Sequence, residues 1–244
     1  MSENVIAIIQ ARMGSTRLAG KTMVNICGRP LIQHVVERLT FCKQINQIIV
    51  ATTIKSEDDN IINFCKKTNI KYFRGEESDV LDRFYQCAKK IKADIIVRVT
   101  ADDPFKDPQI IDQVIKEIVS DTSMDYVSNT IFPSYPIGID IEALRFSTLK
   151  TIWKYGKSPD EREHVTSYII KNRHLFKTTN IENPIDLSHH RWTLDTSEDL
   201  KFTTEVYKRL YTPGKIFYMD EILRLLEKEP ELSFINSHIK QKGV

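Results

Sequence analysis

Along the first two-thirds of the chain, short β-branched runs alternate with stretches of helical spacing. Residues 5–9 form an apolar run of the kind that makes a buried strand. Leu31, Ile32, Val35, Val36 and Leu39 recur at helical intervals, with Pro30 where a first turn tolerates proline. Residues 48–52 read as a second strand. Ser56-Glu57-Asp58-Asp59 has the form of a capping box ahead of a helix through Ile61, Ile62 and Cys65. A short strand is expected at Tyr72-Phe73, a helix over about 79–91, and a strand over 95–99 that runs into Thr100-Ala101-Asp102-Asp103-Pro104.

Strands separated by helical crossovers imply an α/β fold, a Rossmann-like, mainly parallel sheet sandwiched by helices. Ligands of such sheets bind at the carboxyl ends of the strands. The loop after Gln10, the Thr52-Thr53 pair and Asp102 all fall at such ends. The pattern loosens over 130–175, which reads as a small inserted arm with a strand over 139–144 and helical stretches through Trp153 and around 163–170. A late strand is expected over 191–195, a capped helix start at Thr196-Ser197-Glu198-Asp199, and a charged helical tail from Met219. No repeat or linker divides the chain, so one domain over 1–244 is expected.

Composition narrows the partners. The 244 residues are 41% hydrophobic and 28% charged with a formal net charge of +2, ordinary for a globular protein and without the basic excess of a nucleic-acid binder. The first apolar run is too short for a signal peptide or a membrane span, so a cytoplasmic protein with no membrane partner is expected. Cys27, Cys42, Cys65 and Cys87 are scattered without a C-x-x-C pair and read as core thiols.

The stretch from Gln10 to Lys21, QARMGSTRLAGK, places two glycines, two hydroxyls and three cations directly after a strand. Glycine lets backbone amides approach an anion, and Arg and Lys neutralise phosphate charge. A solvated loop with turn glycines is the other reading. A Walker P-loop is excluded, because five residues rather than four separate Gly14 from Gly20-Lys21. Asp102 and Asp195 are candidate magnesium carboxylates, since that ion takes a few carboxylates and completes its shell with phosphate and water. Against this, Asp103-Pro104 can simply start a turn, and Asp195 can belong to a helix N-terminus. His189-His190 does not read as a metal pair, because neighbouring side chains on a strand face opposite ways.

Together these residues resemble the SpsF-type spore-coat polysaccharide proteins and the CMP-Kdo synthetases, a cytidylyltransferase family. The similarity runs through Ile9-Gln10-Ala11-Arg12-Met13-Gly14-Ser15-Thr16-Arg17-Leu18, Val50-Ala51-Thr52-Thr53, Phe73-Arg74-Gly75, Asp79-Val80-Leu81-Asp82-Arg83, Asp125-Tyr126-Val127-Ser128-Asn129, Glu161-Arg162-Glu163-His164-Val165-Thr166 and Arg191-Trp192-Thr193-Leu194-Asp195-Thr196. The resemblance implies CTP as co-substrate and Mg²⁺ as cofactor. It implies that Arg12, Ser15 and Lys21, with loop amides at Ala11 and Gly14, hold the triphosphate, that Asp102 and Asp195 hold the metal, and that Thr52, Arg83 and Thr100 line the cytosine and ribose pocket. Arg12, Lys21, Asp102 and Asp195 would then be the catalytic set, and the 130–175 arm would mediate a homodimer. Ala19 stands where the family usually has proline, and Thr100-Ala101 replaces a Gln-Gly pair.

Glu142, Glu161, His164 and Arg191 fall in segments expected to face the acceptor. Arg191, with His164 if protonated, would suit a small acidic acceptor: a sugar acid, a phosphate or a phosphonate. His164 also reads as a hydrogen-bonded, partly buried histidine. The competing readings are transfer of another nucleotide, a glycosyltransferase, whose metal motif would usually be Asp-x-Asp rather than the adjacent Asp102-Asp103, and a non-enzymatic nucleotide-binding module.

Overall fold

The computed structural model describes residues 3–15 and 17–241. β1 (Val5–Gln10) leads into the glycine-containing loop; a small antiparallel pair, β2 (Asn25–Ile26) and β3 (Arg29–Pro30), then delivers the chain to α1 (Leu31–Leu39). β4 (Gln47–Thr53), α2 (Asp59–Lys67), β5 (Lys71–Gly75), α3 (Val80–Lys90), β6 (Ile95–Thr100) and α4 (Pro108–Ser120) follow as alternating strands and crossovers. The chain continues through β7 (Tyr126–Ser128), β8 (Glu142–Arg145), α5 (Phe146–Tyr155), α6 (Pro159–Glu163), α7 (Ser167–Lys171) and β9 (Thr178–Asn180), and closes with α8 (Ser197–Leu210) and α9 (Met219–Lys228).

Seven strands form one sheet in the order β5-β4-β1-β6-β8-β7-β9. All pairs are parallel except those of β8, which runs antiparallel to both β6 and β7. The mainly parallel sheet between helical layers is therefore the architecture that the alternating pattern predicts. Side chains of β1 divide between its faces: Val5, Ala7 and Ile9 join a core with α1, α4, α8 and α9, while Ile6 and Ile8 join one with α3, α5 and α7. A strand covered on both faces must be apolar at successive positions, which is why β1 reads as an unbroken run.

Three local expectations change. The Ser56–Asp59 stretch does not cap α2 by a side chain; Asp58 is fully buried, and its carboxylate accepts from the Thr53 hydroxyl and, at 2.7 Å, from the Met13 amide. The strand expected over 139–144 is confined to β8. The one expected over 191–195 shrinks to a single parallel bridge between Ile137 and Arg191. Beyond that bridge the amides of Asp195 and Thr196 are taken by the Asp199 carboxylate at 3.0 Å each, so a strand could not propagate. Gly138 makes the bridge possible: with φ at +103°, a Cβ there would lie 2.6 Å from the Thr193 nitrogen. The helix start at Thr196 is a full capping box with Asp199.

Candidate active site

The loop after β1 is folded around its own backbone. The Met13 carbonyl accepts from Ser15 at 2.8 Å and from Gly20 at 3.2 Å, and Gly20 turns the chain with φ at +68°. The Thr22 hydroxyl donates to the Arg12 carbonyl at 2.8 Å, and Asp58 anchors Met13 from below. Thr16 lies outside the described residues. This packing sends Lys21 inward to the strand ends. Its Nζ donates to Asp102 Oδ2 at 2.6 Å and to Asp195 Oδ1 at 2.7 Å, and Arg17 Nη2 reaches the same Asp195 oxygen at 2.9 Å.

The two carboxylates arrive from distant sequence by main-chain geometry. Asp102 follows β6, where Ala101 N–H continues the ladder to the Gln10 carbonyl at 3.1 Å. Asp195 is brought alongside because the Leu194 amide donates to the Asp102 carbonyl at 2.8 Å. Burial disfavours charge on Lys21, but the charge of Asp102 and the hydrogen bonds that Lys21 donates to both carboxylates outweigh it, and its pKa is raised. Desolvation likewise pushes Asp102 up, yet the Lys21 charge prevails and holds it below the ordinary carboxylate range.

A polar hollow of about 270 Å³ opens over this cluster, its walls including Arg12, Ser15, Arg17, Lys21, His164 and Asp195. A second one, about 220 Å³, shares Arg17, Thr100, Asp102 and Asp195 with the first and continues to Arg98, Lys106, Asp140 and Glu142. The Asp102/Asp195 pair thus stands between two polar hollows. In the second, Lys106 is bound to Asp103 at 2.8 Å and to the Asp140 carbonyl, and the Thr100 hydroxyl donates to Asp103. Burial raises the Asp103 pKa despite Lys106. Asp140 is pushed up to about 6 by burial and by the charges of Asp103 and Glu142, against the pull of Lys106. Arg98 and Glu142 form a buried ion pair, and Glu142 also accepts from Tyr126 and Thr166.

Of the residues nominated from sequence, Ala11, Arg12, Ser15, Lys21, Thr100, Asp102, His164 and Asp195 line the first hollow, and Glu142 lines the second. Gly14, Thr52, Arg83, Glu161 and Arg191 line neither. Thr52 and Arg83 each keep a buried polar atom without a partner, Oγ1 and Nε, among the described residues. Arg191 is turned inward: its guanidinium is 4% exposed and donates to both Asp199 oxygens at 2.9 and 2.8 Å, because an arginine buried beside the Asp195 segment needs a carboxylate. Glu161 reaches back to the Lys157 and Ser158 amides as the capping residue of α6. Asp58, Arg17, Lys106, Asp140 and Asp199 were missed, although Arg17 already stands in the loop motif. Asp58 and Asp199 stand in capping-type stretches that are legible locally, but their further partners, the Met13 amide and the Arg191 guanidinium, are not; Lys106 and Asp140 meet on a cavity wall that only the fold builds.

The cytidylyltransferase family model matches residues 6–234. The chain belongs to the cytidylyltransferase family. As a cytidylyltransferase it is 38% identical over 243 residues to the uncharacterized protein MJ1063 of Methanocaldococcus jannaschii, covering 98% of this chain and 97% of that one. It is 32% identical over 235 residues to the spore coat polysaccharide biosynthesis protein SpsF of Bacillus subtilis, covering 93% and 96%. The structure of a cytidylyltransferase from Leptospira borgpetersenii superposes with a TM-score of 0.89 at 27% identity, over the whole of both chains. The enzyme is accordingly a CTP-dependent nucleotidyltransferase. No helix among the described residues is long and apolar enough to cross a membrane.

Proposed function

We propose that the enzyme moves CMP from CTP onto an oxygen of a small acidic acceptor with release of pyrophosphate, using Mg²⁺ held by Asp102 and Asp195. The observation that carries this reading is one ammonium, Lys21, bound at once to two carboxylates that stand between two polar hollows. The donor set fits magnesium. No group of three or more His, Cys, Asp or Glu converges on a metal position among the described residues, and magnesium needs only one or two carboxylates when phosphate and water supply the rest. When bound, the ion supplies charge neutralisation at the α-phosphate and acidifies an attacking hydroxyl.

The side chains of this chain do the remainder. Arg12, Ser15, Arg17 and Lys21 bind the triphosphate in the first hollow; the Ala11 amide is not free for it, since it donates to the Ala51 carbonyl at 3.1 Å. Thr52, Arg83 and Thr100 are assigned to the nucleoside; the unpartnered Thr52 Oγ1 and Arg83 Nε suit polar groups of a base and a ribose. Lys21 neutralises the departing pyrophosphate. The acceptor takes the second hollow, its hydroxyls toward Asp103, Asp140 and Glu142 and its anionic group toward Arg17, which lines both hollows. The SpsF likeness supports a precursor of a surface polysaccharide as the product, made in the cytoplasm where CTP is available. A homodimer through the 130–175 arm is supported by the exposure of Phe132, Ile170 and Leu175 on and next to it.

Pyrophosphate release from CTP, UTP, GTP and ATP with Mg²⁺ across a panel of sugar acids, sugar phosphates and phosphonates tests the proposal. CTP with one acidic acceptor class should be turned over, and Asp102→Asn or Lys21→Ala should lower the rate by roughly 10²–10³ while leaving the fold intact. Near-normal release by either variant would refute the assignment of roles.

A further inference from the structure

Three of the four carboxylate oxygens of the proposed metal pair face cations of the chain itself. Lys21 Nζ bridges Asp102 Oδ2 and Asp195 Oδ1, and Arg17 Nη2 shares the Asp195 oxygen. The other Asp195 oxygen faces Arg191 Nη2 at 3.3 Å, and that guanidinium is held in place by Asp199. The Lys21 side chain is 12% exposed and that of Asp195 6%, so the centre of the cluster is sheltered, while Asp102 at 30% and Arg17 at 36% form its open side toward the hollow.

We propose that Lys21, assisted by Arg17, is a resident counter-ion that bars divalent metal from the Asp102/Asp195 pair until the triphosphate draws both side chains away, so that metal and nucleotide bind this enzyme only together. The proposal rests on the metal assignment made above. Two partly desolvated carboxylates this close are unfavourable without a cation between them, and Lys21 supplies one. The same oxygens cannot hold an ammonium at hydrogen-bond distance and a divalent ion at about 2.1 Å, where the two positive charges would repel. Lys21 and Arg17 therefore have to leave, and leaving is favourable only toward another anion.

That anion has a place prepared. Arg12, Ser15, Arg17 and Lys21 line the same hollow as the two carboxylates, so the cations need only turn about their own side chains. The loop backbone can stay where it is, fixed by Met13 on Asp58, Thr22 on the Arg12 carbonyl and Gly20 on the Met13 carbonyl. Linkage makes the effect reciprocal: if nucleotide opens the carboxylates to metal, metal must strengthen the hold on nucleotide by the same factor. The arrangement also keeps the two carboxylates from binding divalent ions when no substrate is present.

The test is binding of free Mn²⁺ to the full chain without nucleotide, followed by the loss of the free-ion spin-resonance signal. Lys21→Met should bind Mn²⁺ more tightly than the unsubstituted protein by about 5- to 150-fold, the range of ordinary coupling between sites. Lys21→Arg should keep the bar in place, and adding Asp102→Asn to Lys21→Met should remove the gain. In thermal unfolding, Mn²⁺ should raise the midpoint of Lys21→Met and leave that of the unsubstituted protein where it is. If Lys21→Met is too unstable to purify, Arg17→Met should show a smaller gain in the same direction. Equal Mn²⁺ affinity in the unsubstituted protein and Lys21→Met, lost in Asp102→Asn, would overturn the bar and leave the metal assignment standing. Failure of every variant to bind Mn²⁺, with or without CTP, would overturn both.

Discussion

An Asp140→Asn substitution should stabilise the protein, and only at neutral pH and above. Asp140 stands on the wall of the second hollow with its pKa pushed from the ordinary 3.8 to about 6, chiefly by burial, with Asp103 and Glu142 adding repulsion and Lys106 opposing. The folded carboxyl thus holds its proton over a window, about pH 4 to 6, in which the unfolded chain has already lost it. Stability contributed by this group falls as pH rises through that window, and above pH 6 the ionised folded state carries the whole penalty. A rise from 3.8 to about 6 is equivalent to about 3 kcal/mol, and the partial exposure of the side chain reduces this to about 1–3 kcal/mol. Asparagine keeps the shape and carries no charge. Urea unfolding of both proteins at pH 4 and pH 7.5 measures the difference: near zero at the lower pH, and about 1–3 kcal/mol in favour of Asp140→Asn at the higher, or a rise of a few degrees in Tm. A substitution that destabilises at both pH values, or stabilises equally at both, would refute the argument. The same variant should raise the KM for the acceptor, because the group it removes is held at the expense of stability on the wall assigned to that substrate.

Other outcomes follow from equally specific contacts. Gly138→Ala should lose at least about 1–3 kcal/mol in urea unfolding, since its Cβ would meet the Thr193 nitrogen at 2.6 Å in a left-handed backbone. Asp58→Ala strips the acceptor from the Thr53 hydroxyl and the Met13 amide; a stability loss of about 1–3 kcal/mol and a raised KM for CTP should appear together in unfolding and kinetic assays. Asp199→Ala leaves Arg191 buried without its bidentate partner and should cost about 3–5 kcal/mol, read by the urea midpoint. If Arg191 instead gripped the acceptor, Arg191→Lys would move the acceptor KM with little change in stability; the expected result is the reverse.

The buried parallel strands were legible because a strand covered on both faces is apolar at successive positions: β1 keeps the run over 5–9, β4 over 48–51, and β6 breaks it only at Arg98, which is paired with Glu142. Asp102 was legible for the same reason, since the end of β6 is visible as the end of a run. β7 and β9, three residues each, carry too little periodicity to announce a strand, and their identity lies in what they pair with. Arg191 and Asp58 show the same limit for side chains. Sequence reveals that a charge is present but not which charge it will meet: Arg191 pairs with Asp199, and Asp58 found the loop rather than its own helix. The cation cluster over Asp195 could be assembled only in three dimensions, because Arg17 and Lys21 lie more than 170 residues away from it in the chain.

The hydrogen bond from the Leu194 amide to the Asp102 carbonyl ties together the two segments that carry the carboxylates. Because the tie is main chain to main chain, it is indifferent to the side chains at 102, 194 and 195. The distance between the two segments is therefore heritable through sequence drift in a way that a side-chain contact is not. It also makes the site a clean subject for substitution: exchanging either carboxylate for its amide changes the charge without moving the frame on which it is mounted, and a lost rate then reports on chemistry rather than on displaced architecture.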